Sequence, residues 1–212
     1  MKSPSANAIS QPTNGAEEII ATEFPYIVHV TIEGSADILL HSWNIEAVEA
    51  KGKAKKGSEA KKKDNIESFV VRNEDGIICL PSEYLRMSIV NAAKFRQDPR
   101  SPRKSAMDLY KAAIISLKPL VPITNVTGDL PKTWDYEHRC RVQVQRAGIT
   151  RCRPAFKEGW KVEIPFLVNL PEYVSPRDLN DCISAAGRLI GVGDFRPTYG
   201  RFNVVGFEIQ KD

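Results

Sequence analysis

The sequence predicts an α+β fold whose core elements follow the order β-α-β-β-α-β. Three observations lead to this prediction: segments with apolar residues at every second position, two segments with the 3.6-residue period of a helix, and the order in which these segments alternate. A chain of this order folds as an antiparallel sheet with both helices on one face, the ferredoxin-like arrangement. A length of 212 residues with 42% hydrophobic residues is enough for one domain with insertions.

The first strand is predicted over residues 26–33, where apolar and more polar positions alternate strictly. The apolar face of this strand consists of Tyr26, Val28, Val30 and Ile32. Because alternate residues of a strand point to opposite sides of a sheet, we expect this face to be buried.

Two segments lack the pattern of a packed domain. Residues 1–22 are rich in Ser, Pro, Asn, Gly and Ala, and we expect a flexible N-terminal arm before a single domain at 23–212. Residues 50–65 read AKGKAKKGSEAKKKDN and predict a lysine-rich, disordered insertion. The insertion either reaches a polyanion as a mobile arm or serves only as a solubilising loop. Its candidate contacts are Lys55, Lys56 and Lys62.

The first helix is predicted from Pro81 to about Phe95, with Ser82 as its N-cap, directly after a short hairpin at 69–80. Its apolar stripe consists of Leu85, Ile89, Ala92 and Ala93. The basic segment at 96–104 contains prolines, which disfavour helix, and it is predicted to be a loop.

The second half of the chain predicts strands and one further helix. The helix begins after Ser175, with Pro176 as its first residue and Asp178 completing a capping box. The segment that carries Arg151 and Arg153 is predicted to be a loop. Strands are predicted at 112–117, 139–146, 160–168 and 202–209.

A glycine-rich stretch joins the second helix to the last strand. Its glycines permit positive φ and close backbone approach, and they are Gly187, Gly191, Gly193 and Gly200. Its arginines offer forked donors to phosphate, and they are Arg188, Arg196 and Arg201. The same stretch also suits a tight structural turn, in which Asp194 pairs with Arg196 or Arg201 and the phenylalanines Phe195 and Phe202 lie in the core.

The element order and this glycine-rich stretch resemble the RAMP superfamily, which includes RNA-binding backbone subunits of CRISPR effector complexes. The residues that carry the resemblance are Gly187, Gly191, Gly193, Gly200, Arg201 and Phe202, with Pro81 and Ser82 leading into the first helix. The segment GVGDFRPTYGRF is also similar to uncharacterised phage and prophage proteins. The resemblance implies a ferredoxin-like fold and RNA binding within a multi-subunit complex.

Basic residues concentrate in the second half of the chain. Between Arg139 and Lys161 there are seven Lys or Arg residues and a single acid. This composition favours binding of a single-stranded nucleic acid. Cations would hold its phosphates, and aromatic residues would stack on its bases. The candidate phosphate contacts here are Arg139, Arg141, Arg151 and Arg153, and the candidate stacking residues are Trp134, Tyr136 and Phe156. The alternative is a solvated charged face with the aromatics in the core.

One cluster has the residue types of a metal site. Asp135, Glu137 and His138 lie within four positions, with His29 and His41 as distant partners. No second acidic cluster accompanies these three residues. We therefore expect them to be loop residues that offset the charge of nearby arginines, and we predict no metal and no cofactor.

These observations leave three functional hypotheses. The first is a non-enzymatic protein that binds single-stranded RNA or DNA within an oligomer or larger complex. The second is a phage or mobile-element assembly protein that binds only protein, and the third is a metal-dependent nuclease. The net charge is +4, and neither a signal peptide nor an apolar run of membrane-spanning length is present in the sequence. We therefore expect a cytoplasmic protein without a membrane partner.

Overall fold

The structure, a computed structural model, describes residues 24–42, 49, 52, 53, 65–144 and 147–210. Its helices are α1 (Ser82–Ala92), α2 (Met107–Ala113) and α3 (Pro176–Leu189). Its strands are β1 (Tyr26–Gly34), β2 (Ile38–Leu39), β3 (Val71–Arg72), β4 (Ile78–Pro81), β5 (Gln97–Asp98), β6 (Ser101–Ser105), β7 (Ile114–Ser116), β8 (Leu120–Pro122), β9 (Tyr136–Val144), β10 (Ala147–Phe156), β11 (Lys161–Val168) and β12 (Phe202–Ile209). Helices combined with antiparallel sheets confirm the α+β prediction.

The largest sheet has the strand order β12-β1-β11-β7, and each neighbouring pair is antiparallel. The alternation predicted for β1 is confirmed, because Val28, Val30 and Ile32 are fully buried. These residues belong to one hydrophobic core with Leu85 of α1 and Ile183 of α3. The two helices also pack against each other, so they cover the same face of the sheet.

A second sheet consists of β2, β10 and β9, and β9 and β10 form a long hairpin. The predicted strand at 139–146 begins earlier, at Tyr136. The prediction of a loop around Arg151 and Arg153 is wrong, because this segment is part of the ten-residue strand β10. Its two arginines and one proline hid the alternation that usually marks a strand.

The smaller sheets lie in the first half of the chain. Strands β3, β4 and β8 form one sheet, which contains the predicted hairpin with its turn at Gly76. Strands β5 and β6 form a hairpin where a loop was predicted at 96–104. Asp98 stabilises this hairpin, because its carboxylate accepts hydrogen bonds from the backbone and the guanidinium of Arg100.

Helix α1 has its predicted apolar face, since Leu85, Ile89, Ala92 and Ala93 are all buried. The α-helix ends at Ala92 and continues as a 3-10 turn over Ala93–Phe95. The prediction that Ser82 caps this helix is wrong, because Pro81 occupies the N-cap position and Ser82 is a buried residue within the helix.

Helix α3 begins as predicted, because the Ser175 hydroxyl accepts a hydrogen bond from the backbone N–H of Asp178 at 3.1 Å. The helix continues through Gly187 to Leu189. A β-carbon at Gly187 would lie 2.1 Å from the carbonyl oxygen of Phe202, so glycine allows α3 to approach β12 closely. Gly187 therefore sets the distance between the helix and the last strand.

Two predictions concern residues that the structure does not describe. The predicted N-terminal arm and the candidate contacts Lys55, Lys56 and Lys62 lie outside the described residues. Among the helices of the described ranges, none has the length and apolar character needed to cross a membrane.

We expect Gly187→Ala to destabilise the protein by about 1–3 kcal/mol, the usual cost of overpacking, although alanine is the better helix former. The added methyl group would clash with the backbone of β12. Denaturant unfolding measures this effect. Ser184→Ala, at an exposed position of the same helix, is the control and should be neutral or slightly stabilising. Equal stability of Gly187→Ala and the wild type would contradict the close approach.

Candidate nucleic-acid interface

The glycine loop, defined as residues 190–201, joins α3 to β12 and bonds mainly to the protein interior. The N–H of Val192 donates to the carbonyl of Gly200 at 2.8 Å, and the N–H of Asp194 donates to the carbonyl of Leu39 at 2.8 Å. The N–H of Gly200 donates to the carbonyl of Asp37 at 2.7 Å. Because these amides already have partners, they do not form an open cradle for a phosphate.

The conformation of the glycine loop requires glycine at three positions. Gly191, Gly193 and Gly200 have φ angles of 76°, 82° and 71°, in the left-handed region. A β-carbon at Gly200 would lie only 1.7 Å from the carbonyl oxygen of Val192. The glycines thus allow the two ends of the loop to hydrogen-bond to each other.

The glycine loop is fastened to the β9–β10 hairpin by an ion pair. Arg153 of β10 donates from Nε to Oδ2 of Asp194 at 2.7 Å, and only 4% of its side chain is exposed. Its guanidinium also lies over the ring of Phe69, 4.5 Å from the centroid. Nδ1 of His41 is 3.6 Å from the same carboxylate oxygen. Arg153 therefore positions the loop, and Asp194 pairs with it instead of with Arg196 or Arg201.

Aromatic side chains add a second contact between hairpin and loop. The ring of His138 on β9 lies 4.9 Å from that of Tyr199 and 6.3 Å from that of Phe195. Phe202 is buried in the core, whereas Phe195 is only half-buried and has a φ of 53°. The expectation that both phenylalanines lie in the core therefore holds for Phe202 alone.

The four candidate arginines of this region, Arg139, Arg141, Arg151 and Arg153, lie on two different faces of the hairpin. Arg139 pairs with Cys152 and Arg141 with Thr150 in the strand register, so these two arginines share an exposed face. Arg151 and Arg153 share the opposite face with His138, toward the glycine loop. The alternation of two antiparallel strands separates the pairs.

Both exposed arginines lie against the hairpin itself. Arg139 is 71% exposed and donates to Glu137 at 2.7 Å, and this hydrogen bond raises the pKa of the guanidinium. The guanidinium of Arg141 lies across the backbone of Gly148, where a β-carbon would be 2.6 Å from Nε. The absence of a side chain at Gly148 thus makes room for Arg141.

The three residues with the types of a metal site do not converge. Asp135 accepts a hydrogen bond from the N–H of Lys157, and Glu137 pairs with Arg139. His138 lies on the other strand face from Glu137, as strand alternation requires. Across the part of the chain that the structure describes, no three His, Cys, Asp or Glu side chains are grouped to hold a metal ion.

The predicted stacking residues are engaged within the fold. Phe156 is fully buried, and Trp134 packs against the hydrophobic core. Tyr136 donates its hydroxyl to Asp37, and burial, reinforced by this hydrogen bond, raises the pKa of the phenol. Phe156 is thus excluded as a stacking residue, and Trp134 and Tyr136 are half-buried with contacts inside the fold.

Two adjoining clefts lie between α1 and the glycine loop, and sequence reasoning missed them. The larger has a volume of about 520 Å³, and its lining includes Asn91, Lys94, Phe95, Phe195 and Arg196. The smaller has a volume of about 400 Å³, and its lining includes His41, Tyr84, Met87 and Arg196. Gly193, Asp194 and Arg196 line both clefts, so the two form one groove along α1.

The groove joins basic and aromatic residues that are distant in sequence. Lys94 and Arg196 are exposed, and Phe95 is 71% exposed. The sequence signal was the triplet Lys94-Phe95-Arg96 at the end of the predicted helix, before the basic segment. The other predicted arginines, Arg188 and Arg201, are also exposed, at the two ends of the glycine loop.

Comparisons with known proteins were made for the whole chain. No protein-family model matches the sequence, and no curated protein matches it. Among solved structures, the fold is similar to a chain in the cryo-EM structure of the type III-B Cmr-beta bound to cognate target RNA, at a TM-score of 0.49 and 9% identity. The match covers 89% of this chain and 61% of that chain. At this TM-score the likeness decides neither fold nor function, so the proposals below rest on the residues of this chain.

We expect Arg153→Ala to lower the free energy of unfolding by about 3 kcal/mol, the lower end for breaking a buried pair, since Asp194 is 28% exposed. The substitution leaves the Asp194 carboxylate without its guanidinium partner. Arg196→Ala, an exposed arginine two residues from Asp194, is the control and should change stability by less than about 0.5 kcal/mol. Thermal and denaturant unfolding measure both, and equal effects of the two variants would refute the anchoring role.

Proposed function

We propose that this protein is a non-enzymatic binding module for single-stranded nucleic acid, which it holds without reading a defined sequence. The observation that carries the proposal is the groove between α1 and the glycine loop. It is lined by the cations Lys94 and Arg196, and within the part of the chain that the structure describes, Asp194 is the one acid that lines its larger cleft. Phosphates bind where cations are unopposed, and this groove offers such a place.

The charge of Asp194 does not oppose this proposal. Its carboxylate accepts a hydrogen bond from the buried guanidinium of Arg153 at 2.7 Å. Among the described residues, the acids that line the smaller cleft are Asp194 and Glu83, and Glu83 pairs with Arg86 at 2.7 Å. Because both carboxylates have cationic partners, the groove as a whole favours an anion.

The dimensions of the groove favour a single strand. A cleft of about 520 Å³ is in the range that holds a ligand of small-molecule size, so it admits individual nucleotides and not a double helix. The side chains of α1 and its 3-10 extension that line the groove extend from Glu83 to Phe95, which spans about 18 Å at about 1.5 Å per residue. If a single strand of nucleic acid lies along the helix, the groove thus contacts several of its consecutive nucleotides.

Further arginines extend the proposed path of the strand beyond the groove. Arg196 joins the two clefts, and Arg188 and Arg201 flank the glycine loop. Arg151 lies on the hairpin face that contacts the loop, two residues before Arg153 in β10. Arg139 and Arg141 occupy the opposite hairpin face, so we propose that they contact a different part of the strand.

We also infer that the main sheet with α1 and α3 is a ferredoxin-like unit related to the RAMP superfamily. Supporting this inference are the antiparallel strand order β12-β1-β11-β7 and the packing of both helices on one face. The glycine loop lies between the second of these helices and the last strand, where the resemblance expects it. Assembly into an oligomer or larger complex, a phage origin and a cytoplasmic location stay predictions.

We expect the affinity for a single strand to fall steeply with salt, and we expect this dependence to become weaker when cations of the groove are removed. Each phosphate contact contributes about −0.7 to the slope of log affinity against log salt for a single strand, so Lys94→Ala plus Arg196→Ala should flatten the slope by about 1.4 and weaken binding at low salt. Fluorescence anisotropy with labelled oligo(dT) and oligo(rU) measures both quantities.

Arg177→Ala is the matched control, because this exposed arginine lies at the other end of α3 from the glycine loop. Its affinity and slope should equal those of the wild type. Arg139→Ala plus Arg141→Ala tests the hairpin separately and should also weaken binding without lowering the melting temperature. Absence of binding by the wild type at low salt, or a flat salt dependence, would refute the proposed function.

A further inference from the structure

Phe95 is the most exposed aromatic side chain of the groove, at 71% exposure. It lies on the 3-10 turn that ends α1, directly after Lys94, and it lines the same cleft as Arg196 and Phe195. A single exposed apolar side chain is common on protein surfaces, but this one lines a cleft together with two cations, Lys94 and Arg196. An aromatic ring beside cations is the combination that binds single-stranded nucleic acid.

The backbone that carries Phe95 is held firmly in place. Ala92 and Ala93, which precede it, are buried in the core, and the N–H of Arg96 donates to the carbonyl of Ala93 at 3.1 Å. The N–H of Ala106 donates to the carbonyl of Arg96 at 2.9 Å, which ties the turn to the end of the β5–β6 hairpin. Since these bonds fix the turn, the ring is presented to solvent from a rigid support.

The charges around Phe95 select the occupant. Lys94 and Arg196 are exposed on the same cleft, and the carboxylate of Asp194 is paired with Arg153. A ligand that meets an aromatic face and two cations at once must carry an aromatic ring and adjacent negative charge. A nucleotide has both, and every base offers a π-face regardless of its identity.

We propose that Phe95 stacks on an unpaired base of the bound strand while Lys94 and Arg196 hold the phosphates on either side of it. This inference rests on the proposed function and specifies its ligand: a strand whose bases are free to leave their own stack, whether RNA or DNA. The base in a duplex is already stacked and paired, so a duplex offers the cleft only phosphates.

Substitution of Phe95 separates stacking from charge. Loss of one base–aromatic stack removes about 1–3 kcal/mol, so Phe95→Ala should weaken binding of oligo(dA) by about 5- to 140-fold. The salt slope should stay that of the wild type, because no charge is lost. Phe95→Tyr should restore affinity and Phe95→Leu should not, since leucine supplies apolar area without a π-face. Phe24→Ala, which removes an exposed phenylalanine outside the cleft, is the control and should bind like the wild type.

A strand without bases gives the sharpest comparison. On an oligonucleotide of abasic sites, which keeps the phosphates, Phe95→Ala and the wild type should bind equally. With 2-aminopurine in the strand, binding to the wild type should quench its fluorescence more than binding to Phe95→Ala.

The outcomes distinguish this inference from the proposed function. Salt-dependent binding that is the same for wild type and Phe95→Ala would overturn the stacking role and leave the phosphate groove intact. It would also favour a protein partner at Phe95. Equal loss of affinity on the normal and abasic strands would overturn the stacking role too, because the ring would then act only on the shape of the cleft. Absence of any binding by the wild type would overturn both.

Discussion

The ion pair between Arg153 and Asp194 is the contact on which the rest of the candidate site depends. It joins a buried side chain of the β9–β10 hairpin to the glycine loop, two segments that are 41 positions apart in sequence. Phe69 covers the guanidinium, and His41 adds a second nitrogen near the carboxylate. With Asp194 fixed and its charge matched, the neighbouring Arg196 is left on the surface, where it lines both clefts.

This arrangement gives the glycine loop a supporting role. The N–H groups of Asp194 and Gly200 bond to Leu39 of β2 and to Asp37 just before β2, and the N–H of Val192 bonds within the loop. The loop therefore supplies a fixed edge of the groove. The opposite edge is α1, which is held by its buried face and by the Ser88 hydroxyl, which donates to the carbonyl of Gly191 at 2.8 Å. Cationic and aromatic side chains thus project from two rigid elements, which reduces the entropy lost when a ligand orders them.

The sequence was most informative where local physics decides the outcome. The alternation in β1 and the capping box at Ser175 depend on neighbours in the chain, and both are confirmed. Strand β10 was missed because Arg153 and Pro154 occupy buried positions that normally carry apolar residues. The burial of Arg153 depends on Asp194, and no local pattern contains that long-range pairing.

The groove was missed for a related reason. Its basic and aromatic residues come from the end of α1 and from the glycine loop, about a hundred positions later, and only the tertiary fold brings them together. The sequence pointed instead to aromatic residues close to the hairpin arginines. Phe156 lies in the core, however, and Tyr136 bonds to Asp37. Proximity in sequence was a poor guide there, because successive residues of a strand face opposite sides of the sheet.

The glycine loop is closed on the protein itself, and in the proposed binding mode a ligand meets side chains at its edge. Amide hydrogen exchange at Val192, Asp194 and Gly200 tests this claim most directly, because these N–H groups are bonded to carbonyls of the fold. We expect all three amides to be protected in the free protein, and we expect a single-stranded oligonucleotide to leave their protection unchanged. Rapid exchange in the free protein, followed by protection when the oligonucleotide binds, would mean that the loop amides are the binding site and would contradict the account.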